Sequence, residues 1–129
     1  MESIRKNEDF RTCYKFGKSY ANKYLVVYIR KNGTDQNRIG ISVSKKVGNS
    51  VVRHRIKRLV HESYRLHEKE FDSGSDIAVV GRRSADGASY YEIERALLFL
   101  LRNAGMYHSE RNLSPKKAQI PAAEDSRHD

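Results

Sequence analysis

The 129-residue sequence lacks the features that define several classes of protein. Its single cysteine, Cys13, excludes a framework of intramolecular disulfides and is typical of a reducing compartment. No apolar run approaches the ~18 residues that a membrane helix needs, and no signal-peptide pattern is present. We therefore expect a cytoplasmic protein with no membrane partner. Cys13 falls in an amphipathic segment, which favours a small buried hydrophobe over a reactive thiol.

Acidic residues are missing from one long stretch. No Asp or Glu lies between Gln36 and His61, and this stretch carries +7 of the formal net charge of +9. Its basic residues are Arg38, Lys45, Lys46, Arg53, Arg55, Lys57 and Arg58. Like charges four positions apart on a helix, such as Arg53 and Lys57, repel by about 0.2–0.5 kcal/mol, so a merely solvated face normally includes acids. The concentrated charge indicates a polyanionic ligand, above all nucleic acid.

Motifs for catalysis and metal binding are also scarce. His54 and His61 are spaced i, i+7, whereas a helical metal pair is spaced i, i+4, and one cysteine leaves no thiolate cluster for zinc. No nucleophile elbow, catalytic triad or phosphate-binding glycine loop accompanies the Ser and His residues. We therefore predict no catalytic residue in this chain and leave metal ligands unassigned.

Hydrophobic periodicity predicts one α/β domain over residues 1–105 with the order α-β-β-α-β-α. The predicted elements are a helix over 7–16, strands over 24–30 and 38–44, a helix over 51–70, a strand over 76–82 and a helix over 89–104, with room for a short strand around 19–22. Asn7 is the expected N-cap of the first helix and Gly17 its end, and Asn49 or Ser50 is expected to cap the long helix. Residues 106–129 are polar and aperiodic, which predicts a disordered tail.

Aromatic residues collect on one predicted sheet face. Alternation along 24–30 puts Tyr24 and Tyr28 opposite the aliphatic residues, and Ser42 belongs to the small polar face of the next strand. Phe10 and Tyr14, four apart on the first helix, extend this surface. Core packing accounts for the pattern equally well. The alternative is a stacking platform for unpaired bases, worth about 1–3 kcal/mol per base, and single-stranded RNA is its natural ligand.

The segment KKVGNSVVRHRIKR at residues 45–58 resembles the signature of the bacterial ribonuclease P protein subunit, which runs roughly K-K-x-G-N-A-V-x-R-N-R-x-K-R. The resemblance continues through KNEDF at 6–10, Gly17 and RIGISVS at 38–44, and it covers about residues 4–104. A long ordered match of this kind is specific. It implies an α/β sandwich like the second domain of ribosomal protein S5, with a parallel β-α-β unit that crosses over left-handed, against the usual rule.

The resemblance also implies a function. The protein would assist a catalytic RNA in removing the 5′ leader from precursor tRNA, as the RNA-binding subunit of an endoribonuclease. The RNA would carry out the hydrolysis and would bind most of the required magnesium. The protein would raise the affinity for precursor tRNA and for magnesium, with no organic cofactor and no DNA partner.

The family motif carries over onto particular residues. The expected contacts with the catalytic RNA are Lys45, Lys46, Asn49, Arg53, His54, Arg55, Lys57 and Arg58. The resemblance implies a leader cleft lined by Phe10, Tyr14 and Tyr28, and strand alternation adds Tyr24 and Ser42 to it. His54 stands where the family pattern has Asn. Imidazole can still donate a hydrogen bond, but its charge near neutral pH depends on its surroundings.

Two other classes of protein compete with this interpretation. The first is a general RNA-binding module, such as a ribosome-associated protein, that uses the same basic helix without a ribonuclease. The second is an autonomous nuclease that uses surface carboxylates, for which Asp72, Asp76 and Glu62 are the candidates. The general module predicts no preference for tRNA that carries a leader, and the nuclease predicts cleavage by the protein alone.

Overall fold

A computed structural model describes residues 1–107 as a five-stranded sheet between helices. The strands are β1 (Glu2–Ser3), β2 (Lys18–Ala21), β3 (Leu25–Lys31), β4 (Arg38–Val43) and β5 (Ser75–Gly81). The helices are α1 (Asn7–Phe16), α2 (Ser50–His67) and α3 (Tyr90–Asn103), with 3₁₀ turns at Glu68–Glu70 and Arg83–Ala85. None of the helices in this part of the chain is both long and apolar enough to cross a membrane.

The sheet has the strand order β1-β4-β5-β3-β2. β4 and β5 are parallel and α2 connects them, whereas β3 runs antiparallel to both β5 and β2. This arrangement confirms the mixed α/β class and the parallel β-α-β unit, and β2 confirms the short strand expected around 19–22. The handedness of the crossover stays a prediction. β1, which pairs with β4 in parallel, was missed because two residues are too few to show a period.

One face of the sheet packs on α2 and α3. The aliphatic face of β3, including Leu25 and Val27, meets Ile56 and Val60 of α2 and Leu97 of α3 in one buried cluster. The residues of α2 that are buried, Ile56, Val60, Ser63 and Tyr64, lie on one side of the helix. This packing turns the opposite, basic side of α2 toward solvent.

α1 covers part of the other face. Cys13 is fully buried there, with its Sγ 3.3 Å from the Tyr28 carbonyl oxygen, so the interpretation of Cys13 as a buried hydrophobe is confirmed. Phe10 of α1 lies directly over Gly40 of β4, where any side chain would overlap the aromatic ring. Gly40 thus lets α1 approach the sheet closely.

The helix ends depart from the predictions in small ways. The N-cap of α1 is Lys6 and makes no side-chain cap, so the prediction of Asn7 was wrong, because Asn7 already lies in the helix. Asn49 caps α2 as expected, since its side-chain oxygen accepts a 3.0 Å hydrogen bond from the Val52 N–H. α2 ends at His67, three residues before its predicted end, and continues as a 3₁₀ turn.

The predicted start of the tail was also wrong by two residues. Met106 and Tyr107 are buried, and the Tyr107 ring packs 5.0 Å from the ring of Phe71. The two side chains belong to the core because they close the apolar cluster beside α2. The disorder predicted for residues 108–129 lies outside the described residues.

A buried carboxylate joins the layers. Arg38 of β4 donates two hydrogen bonds to Asp76 of β5, at 2.8 Å and 2.6 Å, and its guanidinium lies 3.4 Å from Asp9 of α1. Burial opposes ionisation of Asp76, but the hydrogen bonds from Arg38 and Asn32 outweigh it and lower the pKa of the carboxyl. Arg38 is thus paired with two carboxylates of the protein, so its charge does not add to the basic surface expected to bind a polyanion.

Asp76→Ala is expected to lower the free energy of unfolding by about 3 kcal/mol, measured by urea denaturation. This is the low end for a broken buried ion pair, since the Arg38 side chain is 35% exposed and can be rehydrated. Because the folded-state pKa of Asp76 is lowered, its contribution is present above the ordinary carboxyl range and disappears as the pH falls through the folded-state pKa. The difference between wild type and variant should therefore shrink in acid.

Asp9→Ala is the matched control for this ion pair. It removes the more exposed carboxylate that faces the same guanidinium and should cost less than about 1 kcal/mol. Equal losses for the two variants, or a difference that does not change with pH, would contradict the assigned role of Asp76.

Candidate nucleic-acid interface

The basic side of α2 is exposed along its first two turns. His54, Arg55, Lys57 and Arg58 are exposed and Arg53 is half-buried. No acid precedes Glu62 on this helix, and Glu62 is held by Arg65 at 2.6 Å. The surface that the sequence predicted to be basic is therefore uninterrupted by negative charge over these turns.

Two of the arginines also make contacts within the protein. The Arg53 Nε donates to the Gly48 carbonyl oxygen at 3.2 Å, which fixes the side chain against the turn before α2. An Arg55 Nη donates to the Ala88 carbonyl oxygen at 2.8 Å and so ties α2 to the loop before α3. Among the described residues, Lys57 and Arg58 make no such bond, which leaves both groups available to a ligand.

The approach to α2 adds further positive charge. Lys45 and Lys46 are exposed on the turn after β4, where the Ser44 hydroxyl accepts a hydrogen bond from the Lys46 N–H. Asn49 lies next on this path, but its side chain is engaged as the cap of α2. The two lysines therefore extend the basic surface from α2 to the end of β4, whereas Asn49 shapes the entry to the helix.

Four of the five predicted cleft residues meet between α1 and the sheet. The Tyr14 and Tyr28 rings lie edge to face with centroids 4.9 Å apart, and the Phe10 ring is 6.1 Å from Tyr14. Burial raises the pKa of Tyr14, and a hydrogen bond with Ser42 opposes this shift. Tyr14 stays about a third exposed, so its ring faces both the protein and solvent.

Tyr24 does not join this group. It precedes β3, and its hydroxyl donates a 2.9 Å hydrogen bond to Glu92 of α3, on the far side of the sheet. Its predicted place beside Tyr28 was wrong because strand alternation does not extend to a residue outside the strand. The ring of Tyr24 instead packs against the core cluster.

The floor of the cleft consists of residues that the sequence reasoning did not single out. One row across the sheet pairs Ala21, Val26, Val80 and Ser42 in that order. Val26 and Val80 are only half-buried, so apolar surface faces the cleft beside Tyr14 and Tyr28. Alternation in β3 and β5 places the two valines on this face, but only the strand order makes them neighbours.

Carboxylates do not gather into a catalytic site in the described part of the chain. Asp76 is buried against Arg38, and Glu62 pairs with Arg65. Within residues 1–107 there is no group of three or more His, Cys, Asp or Glu that could hold a metal ion. The carboxylates proposed for an autonomous nuclease are therefore not brought together.

The fold and the surface together define an α/β protein with a basic helix and an aromatic cleft. This combination suits a nucleic acid, whose phosphates are negative and whose bases are flat aromatic rings. The family match agrees with this class. Residues 1–105 match the ribonuclease P family, and the chain belongs to that family of ribonucleoprotein protein components.

Curated relatives and solved structures support the assignment. The chain is 57% identical to the ribonuclease P protein component of Lachnoclostridium phytofermentans over 77% of this chain and 85% of that protein. It is 52% identical to the ribonuclease P protein component of Clostridium botulinum strain 657, over 81% of this chain and 96% of that protein. The Staphylococcus aureus RNase P protein structure matches with a TM-score of 0.77 and 38% identity, over 84% and 99% of the two chains. The structure of the RNase P protein from Thermotoga maritima matches with a TM-score of 0.73 and 36% identity, over 80% of this chain and 97% of that chain.

Lys57→Ala combined with Arg58→Ala is expected to weaken RNA binding without loss of stability, since neither side chain holds the fold together. The slope of log affinity against log salt concentration should fall by about 2, one for each lost phosphate contact. Filter binding over a salt series measures the slope. Lys69→Ala, with Lys69 exposed on the 3₁₀ turn after α2, is the control and should leave the slope unchanged. An unaltered slope in the double variant would remove this part of α2 from the interface.

Proposed function

We propose that this protein is the RNA-binding subunit of ribonuclease P and acts in the cytoplasm on the maturation of tRNA 5′ ends. The basic side of α2 binds the catalytic RNA through phosphate contacts. The cleft between α1 and the sheet holds the single-stranded 5′ leader of precursor tRNA. The observation that carries the proposal is the Tyr14–Tyr28 pair beside the half-buried Val26 and Val80. On the opposite side of the sheet, the first two turns of α2 expose basic side chains and contain no acid.

The cleft suits an unpaired strand better than a duplex. The bases of a duplex are already stacked and paired, so their faces are closed to protein side chains. An unpaired leader can lay its bases on Tyr14, Tyr28 and the valine floor, at about 1–3 kcal/mol for each stacked base. The preference for precursor over mature tRNA then follows from this contact, because the mature product has no leader to place there.

The chemistry is assigned to the RNA. Magnesium ions would be held by the RNA and would supply the chemistry of hydrolysis, namely activation of water and stabilisation of the leaving oxygen. The side chains of this protein fix the leader in an extended course and bring it close to the RNA. Lys57 and Arg58 reduce the repulsion between the two polyanions, which raises the affinity for precursor. The enzyme is the complex of RNA and protein, and its RNA subunit cleaves the phosphodiester bond of the precursor tRNA.

Reconstitution tests the proposal directly. We expect correct 5′ cleavage of precursor tRNA at low magnesium, in single-turnover conditions, only when the protein and a bacterial ribonuclease P RNA are combined. Cleavage by the protein alone would move the active site into this chain. Tight RNA binding without stimulation, repeated with a second type of ribonuclease P RNA, would instead favour the general RNA-binding module.

Tyr28→Ala tests the role of the cleft independently of the role of the basic helix α2. It should weaken binding of precursor tRNA by the reconstituted complex by about 1 kcal/mol or more, the value of one stacked base, and leave binding of mature tRNA unchanged. Assembly with the catalytic RNA should also be unchanged. Tyr91→Ala is the matched control, since Tyr91 is an exposed tyrosine on α3, outside the cleft. Equal weakening for precursor and mature tRNA would show that the cleft does not hold the leader.

A further inference from the structure

Two histidines lie among the cations of α2. His54 and His61 are seven positions apart, which places them two turns apart on the same side of the helix, about 10 Å from each other along its axis. Lys57 and Arg58 lie between them, three or four positions from either ring, and all four side chains are exposed. We call these four residues the histidine stripe.

The two rings of the histidine stripe have no partner inside the protein. Among the described residues, neither His54 nor His61 makes a hydrogen bond or an ion pair. Glu62 is the acid next to His61, but Arg65 holds its carboxylate at 2.6 Å. Both ring nitrogens of each histidine therefore remain available to a ligand.

The neighbouring elements supply no carboxylate to these rings. Both histidines line a surface groove together with residues of β1, α1, β4 and the start of α3. The residues that β1, α1 and β4 contribute to this lining are uncharged. Tyr90 is the titratable group from α3, and burial together with its hydrogen bond to Glu94 raises its pKa, so the phenol stays neutral near pH 7. A positive ring would thus meet mainly the positive charges of the stripe itself.

A third histidine of α2 has the opposite surroundings. The ring nitrogens of His67 lie 2.9 Å from Glu70 and 3.0 Å from Glu94. Burial lowers the pKa of His67, but the hydrogen bonds with Glu94 and Glu70 outweigh burial and raise it. The protein thus provides His67 with the carboxylate partners that His54 and His61 lack.

A phosphate group can provide such a partner from outside. RNA bound along the basic side of α2 brings phosphate oxygens to the histidine stripe. An imidazolium donates hydrogen bonds from both nitrogens, whereas a neutral ring donates from one and presents a lone pair at the other. Imidazole is also the side chain whose charge changes between pH 5 and 8. Bound RNA therefore favours the protonated rings and, because such coupling is reciprocal, protonated rings favour bound RNA.

We propose that His54 and His61 take up protons when the catalytic RNA binds to α2, so that the affinity for this RNA rises as the pH falls from 8 to 6. The inference rests on the proposed function, since it requires the basic side of α2 to hold the RNA. It adds His61 to the RNA contacts. It also gives His54 a property that the Asn of the family signature does not have, because an amide does not titrate in this range.

The test measures binding of a bacterial ribonuclease P RNA to the full chain at pH 6 and pH 8, with salt and magnesium held constant. Affinity is measured instead of cleavage, because metal-activated water gives cleavage a pH dependence of its own. The wild type should bind more tightly at pH 6, by about two- to fivefold for each histidine, the effect of one exposed charge contact. His54→Asn and His61→Asn should each remove one such factor, and the double variant should lose both. His67→Gln is the matched control and should keep the pH dependence of the wild type.

Calorimetry counts the protons directly. Titration of the protein with the same RNA at pH 7, in two buffers of different ionisation enthalpy, gives the number of protons taken up for each RNA bound. This number should be positive for the wild type and for His67→Gln, and it should fall in each Asn variant.

The outcomes separate this inference from the proposed function. Tight binding that does not strengthen at pH 6, or a pH dependence that both Asn variants retain, would overturn the inference and leave the proposed function intact. Weaker binding of the Asn variants by the same factor at pH 6 and pH 8 would also overturn it, because the rings would then act as uncharged contacts. Absence of RNA binding at either pH would remove the proposed function together with the inference.

Discussion

The ion pair between Arg38 and Asp76 joins the parallel strands β4 and β5 at the point where α1, which forms one wall of the cleft, meets the sheet. Asp76 is buried near the start of β5, and its carboxylate accepts hydrogen bonds from Arg38 of β4 and from Asn32 of the loop after β3. The same guanidinium reaches Asp9 of α1. One carboxylate therefore ties β4, β5 and a loop together, and Arg38 also contacts the helix that carries Phe10 and Tyr14. Desolvating these charges is costly, and the hydrogen bonds that replace water make the arrangement specific.

Much of the fold could be predicted because its long elements have clear periods. The α1 bounds agree with the prediction, and the predicted strands and α3 differ from it by at most one residue at each end. β1 and the buried pair Met106 and Tyr107 could not be predicted, since each consists of two residues whose place is decided by tertiary contact. Arg38 was miscounted for a related reason, because a charge count does not reveal which cation is paired inside the protein.

The candidate site shows the same division. The acid-free run and the family signature were sufficient to locate the basic side of α2, and helical spacing placed Phe10 beside Tyr14. The cleft floor required the strand order, which brings Val26 next to Val80 although the two residues are 54 positions apart in the sequence. The predicted position of Tyr24 was wrong because the strand begins one residue later than predicted, and alternation of side chains between the two faces holds only within the strand. Pattern thus predicts what lies on a face, and topology decides which faces meet.

Burial of Cys13 gives this chain a built-in probe. It is the only thiol in the sequence. Its side chain projects from α1, the helix that forms one wall of the cleft, and is buried between this helix and the sheet. Burial raises its pKa and so disfavours the reactive thiolate. An alkylating reagent can reach the sulfur only when α1 lifts from β3 and β5. The labelling rate of the unmodified protein therefore reports how often the cleft wall opens, and its slowing in an RNA complex would measure how firmly a bound strand closes that wall.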